Sequence, residues 1–197
     1  MKREVKLTDS NLDEVSKKVA DILDAGGIAV IPFDTVYGFI CDPKNDTALE
    51  RIYKLKGRDF DKTIGLAFDS IASLNNVAYI SDLAFIEDKV PGKFTFIVKA
   101  KDKSFSLFCY RQNTIGARIP DSILIKKIAS KCGGAIAQTS ANKAGEDNCG
   151  SLNDLARQFS EKELLEIDIV VDGGKMEDAQ PSQIFDLTGS EPKRIER

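Results

Sequence analysis

Apolar residues recur at two periods along this chain, and the period switches several times. Leu12, Val15, Val19, Ile22 and Leu23 fall three and four apart, which predicts an amphipathic helix. Ser10 and Asp13 have capping-box spacing before it, and Gly26 and Gly27 mark its stop. An apolar run opening at Ile28 predicts a buried strand. Leu49, Ile52, Tyr53 and Leu55 predict a helix over about 47–56, capped by Asp46 and ended by Gly57. Residues 63–68 and 94–100 read as strands; in the second, Phe94, Phe96 and Val98 alternate with Thr95, Ile97 and Lys99. A short helix is expected around 82–88, then a turn at 91–93. Residues 114–119 form a short strand stopped by Pro120. A helix follows over 122–131, with Ile123, Leu124, Ile128 and Ala129 on its apolar side. Residues 133–142 are an apolar strand running into a polar loop. Ser151 and Asp154 open another helix, and strands are expected at 166–174 and 182–189.

Strands and helices alternate through most of the length, which argues for an α/β fold with one central sheet. Not every connection has room for a crossover helix, so the sheet is expected to be mixed. The chain shows no internal repeat and no low-complexity linker. One domain over residues 1–197 is the expectation.

One stretch breaks its own pattern. In "VIPFDTVYGFICD" (30–42), Pro32 interrupts the strand, and Asp34, Thr35 and Tyr37 bring polar groups in before Gly38. A core strand has no evident use for a hydroxyl, a phenol and a carboxylate through its middle.

Composition narrows the chemistry. There is no His, which removes imidazole zinc sites, His-based triads and the usual general base near neutral pH. Cys41, Cys109, Cys132 and Cys149 are not spaced as C-x-x-C and are expected to be reduced, packed thiols. A net charge of -3 announces no field of one sign, so any basic site must be local. The N-terminal residues lack the apolar core of a signal peptide, and no apolar run approaches a membrane span. A cytoplasmic location is expected.

Three clusters carry candidate chemistry. Lys54, Lys56, Arg58 and Lys62 surround the end of a predicted helix; they either form a solvated face complementing the helix dipole or include a phosphate clamp. In the clamp reading, Gly57 lets Lys56 and Arg58 point the same way. Gln138, Thr139, Ser140 and Asn142 follow a buried strand, where they serve either an ordinary turn or a nucleotide. Arg118 stands inside an apolar strand and needs a partner, either an internal carboxylate or that of a ligand. The common phosphate loops and nucleophile elbows are absent.

Together, "PFDTVYGFICD" (32–42), "KLKGRDFDKT" (54–63), "PGKFTFIVK" (91–99), "TIGARIP" (114–120), "TSANKAG" (139–145) and "PSQIFDLTG" (181–189) resemble the YrdC family of threonylcarbamoyl-AMP synthases. The resemblance implies a twisted open mixed β-sheet with flanking helices and a concave basic groove. It implies a nucleotidyltransferase that converts L-threonine, bicarbonate and ATP, carried with Mg²⁺, to threonylcarbamoyl-AMP and pyrophosphate. The product supplies threonylcarbamoyladenosine in tRNA through the threonylcarbamoyl transferase proteins. By resemblance, residues 32–38 are a strand edge exposed to a ligand, Thr35 and Tyr37 line the threonine pocket, and Arg118 and Ser182 meet the threonine carboxylate. Lys56, Arg58, Ser140 and Asn142 hold the ATP phosphates, with Lys56 and Arg58 as the catalytic pair. Arg197 aligns loosely with a C-terminal Arg near the nucleotide.

The sequence departs from the family pattern in places. Phe33 stands where Thr is common, Lys93 where a second Pro is common, Thr63 where Pro is frequent, and Ala67 where some longer members have a His. The chain ends near Arg197, so the extra C-terminal domain of the longer branch is not expected. Alternatives within the resemblance are a YciO-type paralogue or a binder of tRNA or double-stranded RNA without this activity. A carbamoyl-transfer role in hydrogenase maturation ranks last, because the Cys-rich modules of that larger protein are missing.

Overall fold

The structure, a computed structural model, describes residues 3–176 and 182–196. Its strands are β1 (Glu4–Lys6), β2 (Ala29–Pro32), β3 (Tyr37–Cys41), β4 (Gly65–Phe68), β5 (Ala78–Tyr79), β6 (Phe94–Ala100), β7 (Thr114–Arg118), β8 (Ala135–Ser140), β9 (Ile169–Asp172), β10 (Gln183–Asp186) and β11 (Lys193–Ile195). The helices are α1 (Leu12–Asp24), α2 (Asp46–Lys56), α3 (Ile71–Val77), α4 (Leu83–Glu87), α5 (Ile123–Lys131), α6 (Leu152–Gln158) and α7 (Glu161–Leu164).

All these strands join one sheet in the order β1-β9-β2-β3-β8-β4-β7-β6-β10-β11, with β5 paired to β6 outside that path. The sheet is mixed, as expected. β4 pairs parallel with β7 and β6 with β10, whereas β8 runs antiparallel to both its neighbours, β3 and β4.

Side chains alternate across the sheet, so β2, β3, β4, β8 and β9 each feed two cores. Phe39, Leu66, Phe68, Phe96, Ile115 and Ala137 point to one face, where α2 contributes Leu49, Ile52 and Tyr53. Ile31, Ile40, Ala67, Ile136, Ile169 and Val171 point to the other, under Val15, Val19 and Leu23 of α1 and Leu124, Ile125 and Ile128 of α5. Ile123 departs from expectation. It is exposed, and Ile125 takes its place in the core, because α5 sits rotated so that its first residue clears the sheet.

Several helix starts differ from the sequence reading. Ser10 does not cap α1. It lies in a 3₁₀ turn, Asp9–Asn11, whose entry is fixed by the Thr8 N–H donating to Asn11 Oδ1 at 2.8 Å. Asn45, not Asp46, caps α2, its Oδ1 accepting from the Ala48 N–H at 2.9 Å. Ser151 caps α6 as expected. α3, α7 and strands β1, β5 and β11 are too short or too exposed to give a periodic signal.

The "VIPFDTVYGFICD" stretch is not a sheet edge. β2 and β3 are interior neighbours, with Pro32 opposite Tyr37, and residues 33–36 are the loop joining them. Polar residues interrupt the apolar run because the chain turns there.

Candidate active site

The face carrying α1 and α5 is covered over only part of its width. Along β8, Ile136 lies beneath the helices, whereas Gln138 and Ser140, two and four residues on, are uncovered. The uncovered region is a cavity of about 450 Å³, within the size range of small-ligand sites. Its floor is made of residues with little or no side chain: Gly38 on β3, Gly65 on β4 and Gly116 on β7. A Cβ added at Gly116 would meet only Thr95 Cγ2, at 3.9 Å, so packing does not demand a glycine there. The missing side chain leaves volume instead.

Arg118 marks one end of the cavity. It is 5% exposed, and its Nη2 lies 2.7 Å from Asp34 Oδ1, itself buried. Asp34 also accepts from the Asp121 N–H at 3.2 Å. The internal carboxylate that a buried strand Arg requires is therefore Asp34. Beside this pair stand Thr35 and two hydroxyls in mutual contact, Thr95 Oγ1 and Ser182 Oγ at 2.7 Å.

Arg58 marks the other end. α2 stops at Gly57, whose φ of 57° is the left-handed geometry that reverses a helix end. The turn aims Arg58 at the β8 terminus, where Nη1 donates to Thr139 Oγ1 at 3.1 Å and Nη2 to the Thr63 carbonyl at 2.9 Å. Its Nε is buried without a hydrogen-bond partner. Burial lowers its pKa, yet a guanidinium keeps its charge at any working pH.

The chain belongs to the Sua5/YciO/YrdC family. The family profile described as "Telomere recombination" matches residues 21–197. Solved structures agree on the fold. A doubly substituted P. abyssi Sua5 superposes with a TM-score of 0.88 at 22% identity, over 98% of this chain and 56% of that one. P. abyssi Sua5 complexed with L-threonine gives 0.83 at 22% identity, with the same coverage. E. coli YciO gives 0.85 at 21% identity, over 99% of this chain and 95% of that one. The chain thus spans little more than half the length of the Sua5 structures and nearly all of YciO.

Of the residues singled out by this family's motifs, Thr35, Arg58, Arg118, Ser140 and Ser182 line the one cavity. Three others behave differently. Tyr37 is fully buried outside the lining; its hydroxyl donates to the Gly174 carbonyl at 2.7 Å and accepts from the Gly173 N–H at 2.9 Å. It ties β3 to the chain after β9 on the opposite face from Gly38, because strand neighbours alternate.

Lys56 is 3% exposed and also lies outside the lining. Its Nζ donates to the Ser140 carbonyl, to the Asn142 carbonyl at 2.7 Å and to Asn142 Oδ1 at 3.2 Å. Lys56 and Arg58 do converge, but on the 139–142 loop from two sides rather than into the cavity as a pair. Burial, and then the Arg58 charge, push the Lys56 ammonium down to about 7. Three oxygens act the other way. The charged form suits them, since a neutral amine has two N–H donors for three acceptors. Asn142 sits behind the lining and bridges Lys56 to Ser140, whose Oγ donates to Asn142 Oδ1 at 2.5 Å. The Arg197 alignment falls outside the described residues.

The sequence reading did not select Thr63, Thr95, Arg111 or Asn148, which also line the cavity. Thr95 carried a signal, since it occupies the polar phase of an alternating strand. Arg111 carried none, because it lies in a turn. Segment 143–150 is held by the Lys143 N–H on Gln158 Oε1 at 2.9 Å, by the Ala144 N–H on the Lys56 carbonyl at 2.8 Å and by a Lys143–Glu163 ion pair at 2.8 Å. Cys41, Cys109 and Cys149 are fully buried and Cys132 partly so; burial pushes the Cys109 thiol up to about 12, which suits inert packing. Among the described residues no helix is long and apolar enough to cross a membrane.

Proposed function

We propose that this chain is an L-threonylcarbamoyladenylate synthase, a nucleotidyltransferase using L-threonine, bicarbonate and Mg²⁺-bound ATP. The observation that carries the reading is the cavity's division. A neutralised Arg118–Asp34 pair with neighbouring hydroxyls lies at one end, and the Arg58 guanidinium with the Ser140 hydroxyl lies at the other. A zwitterionic amino acid suits the first end and a polyphosphate the second. The family match and the likeness to a threonine-bound Sua5 support the same reading.

In this reading the threonine carboxylate approaches Arg118 and Ser182, with Thr35 near its amine or hydroxyl. The threonine ammonium and bicarbonate combine into a carbamate, with loss of one water and one proton to solvent. A carbamate oxygen attacks the α-phosphorus, the bond from that phosphorus to the bridging oxygen of the β-phosphate breaks, and pyrophosphate leaves. The nucleophile is already an anion, so the absence of His is no obstacle. The chain's work is to bring two anions together and offset charge developing on the phosphates. Arg58 does this directly, while Lys56 and Asn142 hold the loop that presents Ser140. Magnesium enters on the ATP as part of the substrate. The product would pass to threonylcarbamoyl transferase proteins acting on tRNA.

The test is pyrophosphate release from ATP that requires both L-threonine and bicarbonate. Folded protein that releases none at saturating substrates would refute the synthase reading. The 95% coverage of YciO favours a second reading, a paralogue of that type using the same cavity without this reaction. ATP binding without threonine-dependent turnover distinguishes it.

A further inference from the structure

Among the described residues, the cavity lining holds three arginines and no Asp or Glu. Arg118 has its counter-charge in Asp34. Arg58 donates to a hydroxyl and a carbonyl rather than to a carboxylate, with Asp61 acting on its charge only from beyond ion-pair contact. The third, Arg111, is exposed, and no side-chain hydrogen bond or ion pair engages it among the described residues. The cavity's net positive charge is thus concentrated at the end shared by Arg58 and Arg111.

Both arginines are held in place by rigid backbone. Arg111 opens a two-residue turn into β7. Its N–H donates to the Thr114 carbonyl at 3.0 Å, and the Thr114 N–H returns to its carbonyl at 2.8 Å. Gln112 and Asn113 take φ of 48° and 64°, the left-handed pair such a turn demands. The segment before Arg111 is locked to the one carrying Arg58. The Ile64 N–H donates to the Phe108 carbonyl at 3.0 Å, and the Phe60 ring packs on Phe108 with centroids 5.7 Å apart. Two like charges are thereby held at one mouth, an arrangement that a multiply charged anion relieves.

We infer that Arg111 binds the terminal phosphates of the nucleotide and the pyrophosphate they become, as a second guanidinium facing Arg58. This inference rests on the nucleotidyltransferase reading of the cavity and adds a residue to its leaving-group end. As the α–β phosphate bond breaks, charge accumulates on the departing pyrophosphate, and Arg111 meets it there.

The experiment is calorimetric binding of inorganic pyrophosphate, Mg²⁺-ATP and L-threonine to the whole chain. Wild type is compared with Arg111→Ala, Arg111→Lys and Lys126→Ala, the last removing one exposed charge from α5 outside the cavity. Thermal midpoints establish that each variant folds. The expected result is about tenfold weaker pyrophosphate and ATP binding in Arg111→Ala, partial recovery in Arg111→Lys, and threonine binding within about twofold of wild type. Lys126→Ala should match wild type. The inference is overturned if Arg111→Ala binds pyrophosphate like wild type, if Lys126→Ala loses as much, if threonine binding falls equally, or if wild type binds no pyrophosphate. Pyrophosphate binding that depends on Arg111 without threonine-dependent turnover would sink the synthase reading and leave this one standing.

Discussion

The two halves of one sheet face are built from the same strands and do opposite work. Along β8, Ile136 is buried under α5 while Gln138 and Ser140 open into the cavity. Along β4, Ala67 packs under the helices while Gly65 forms part of the cavity floor. Where helices cover the sheet, the alternating positions are apolar and close-packed. Where they stop, the same phase carries glycine, hydroxyls and guanidinium groups. Substitutions in the covered half should therefore act on stability, and those in the bare half on ligand handling.

Ile136→Ala gives the largest expected effect, a loss of about 3 kcal/mol in urea unfolding, since it leaves a hole under α5. Turnover per folded molecule should stay near wild type; a large change in KM would blur the division. Arg58→Ala should lower threonine-dependent pyrophosphate release about 100-fold with an unchanged unfolding midpoint. Gly116→Val should fold normally, because the space above Gly116 is open, yet lower turnover about 30-fold by filling the floor. A lost fold would show that the floor is core after all.

The smallest effect concerns the loop behind the cavity. The Lys143 ammonium, then the Ser160 N–H and hydroxyl, hold the Glu163 carboxyl down at about 2, against an ordinary 4.5. A depressed carboxyl stabilises above its unfolded value and loses that contribution as pH falls towards its folded one. Amides of 143–150 should show lower protection at pH 3 than at pH 6 once intrinsic exchange rates are divided out, and Glu163→Gln should remove the difference. The pair is part-exposed, so the change should be modest.

Lys56 and Arg58 show how far sequence reading reaches at the site. Their spacing around Gly57 suggested two cations pointing the same way, not that both would meet the 139–142 segment. It could not tell that Lys56 is sealed beneath that loop and Arg58 opens above the floor, because the direction of each side chain depends on what packs over the helix end. Arg118 required a partner on energetic grounds, but the identity of Asp34 depended on a loop folding back across 84 positions. Tyr37 was a pocket residue by resemblance; it is the strand neighbour of Gly38, which faces the cavity, so alternation sends its ring to the other face.

From the residues alone came the alternation of helices and strands, the mixed sheet, the exclusion of imidazole chemistry and the motifs that resemble one family. These are local properties, set by periodicity, turn residues and side-chain type. Tertiary structure alone decided that α1 and α5 stop partway across the sheet, that Gly65 and Gly116 come side by side on β4 and β7 with Gly38 across β8 from them, and that Arg111 joins Arg58. Those facts depend on strand order and register, which bring together residues far apart in the chain and leave no trace in the pattern of any one segment.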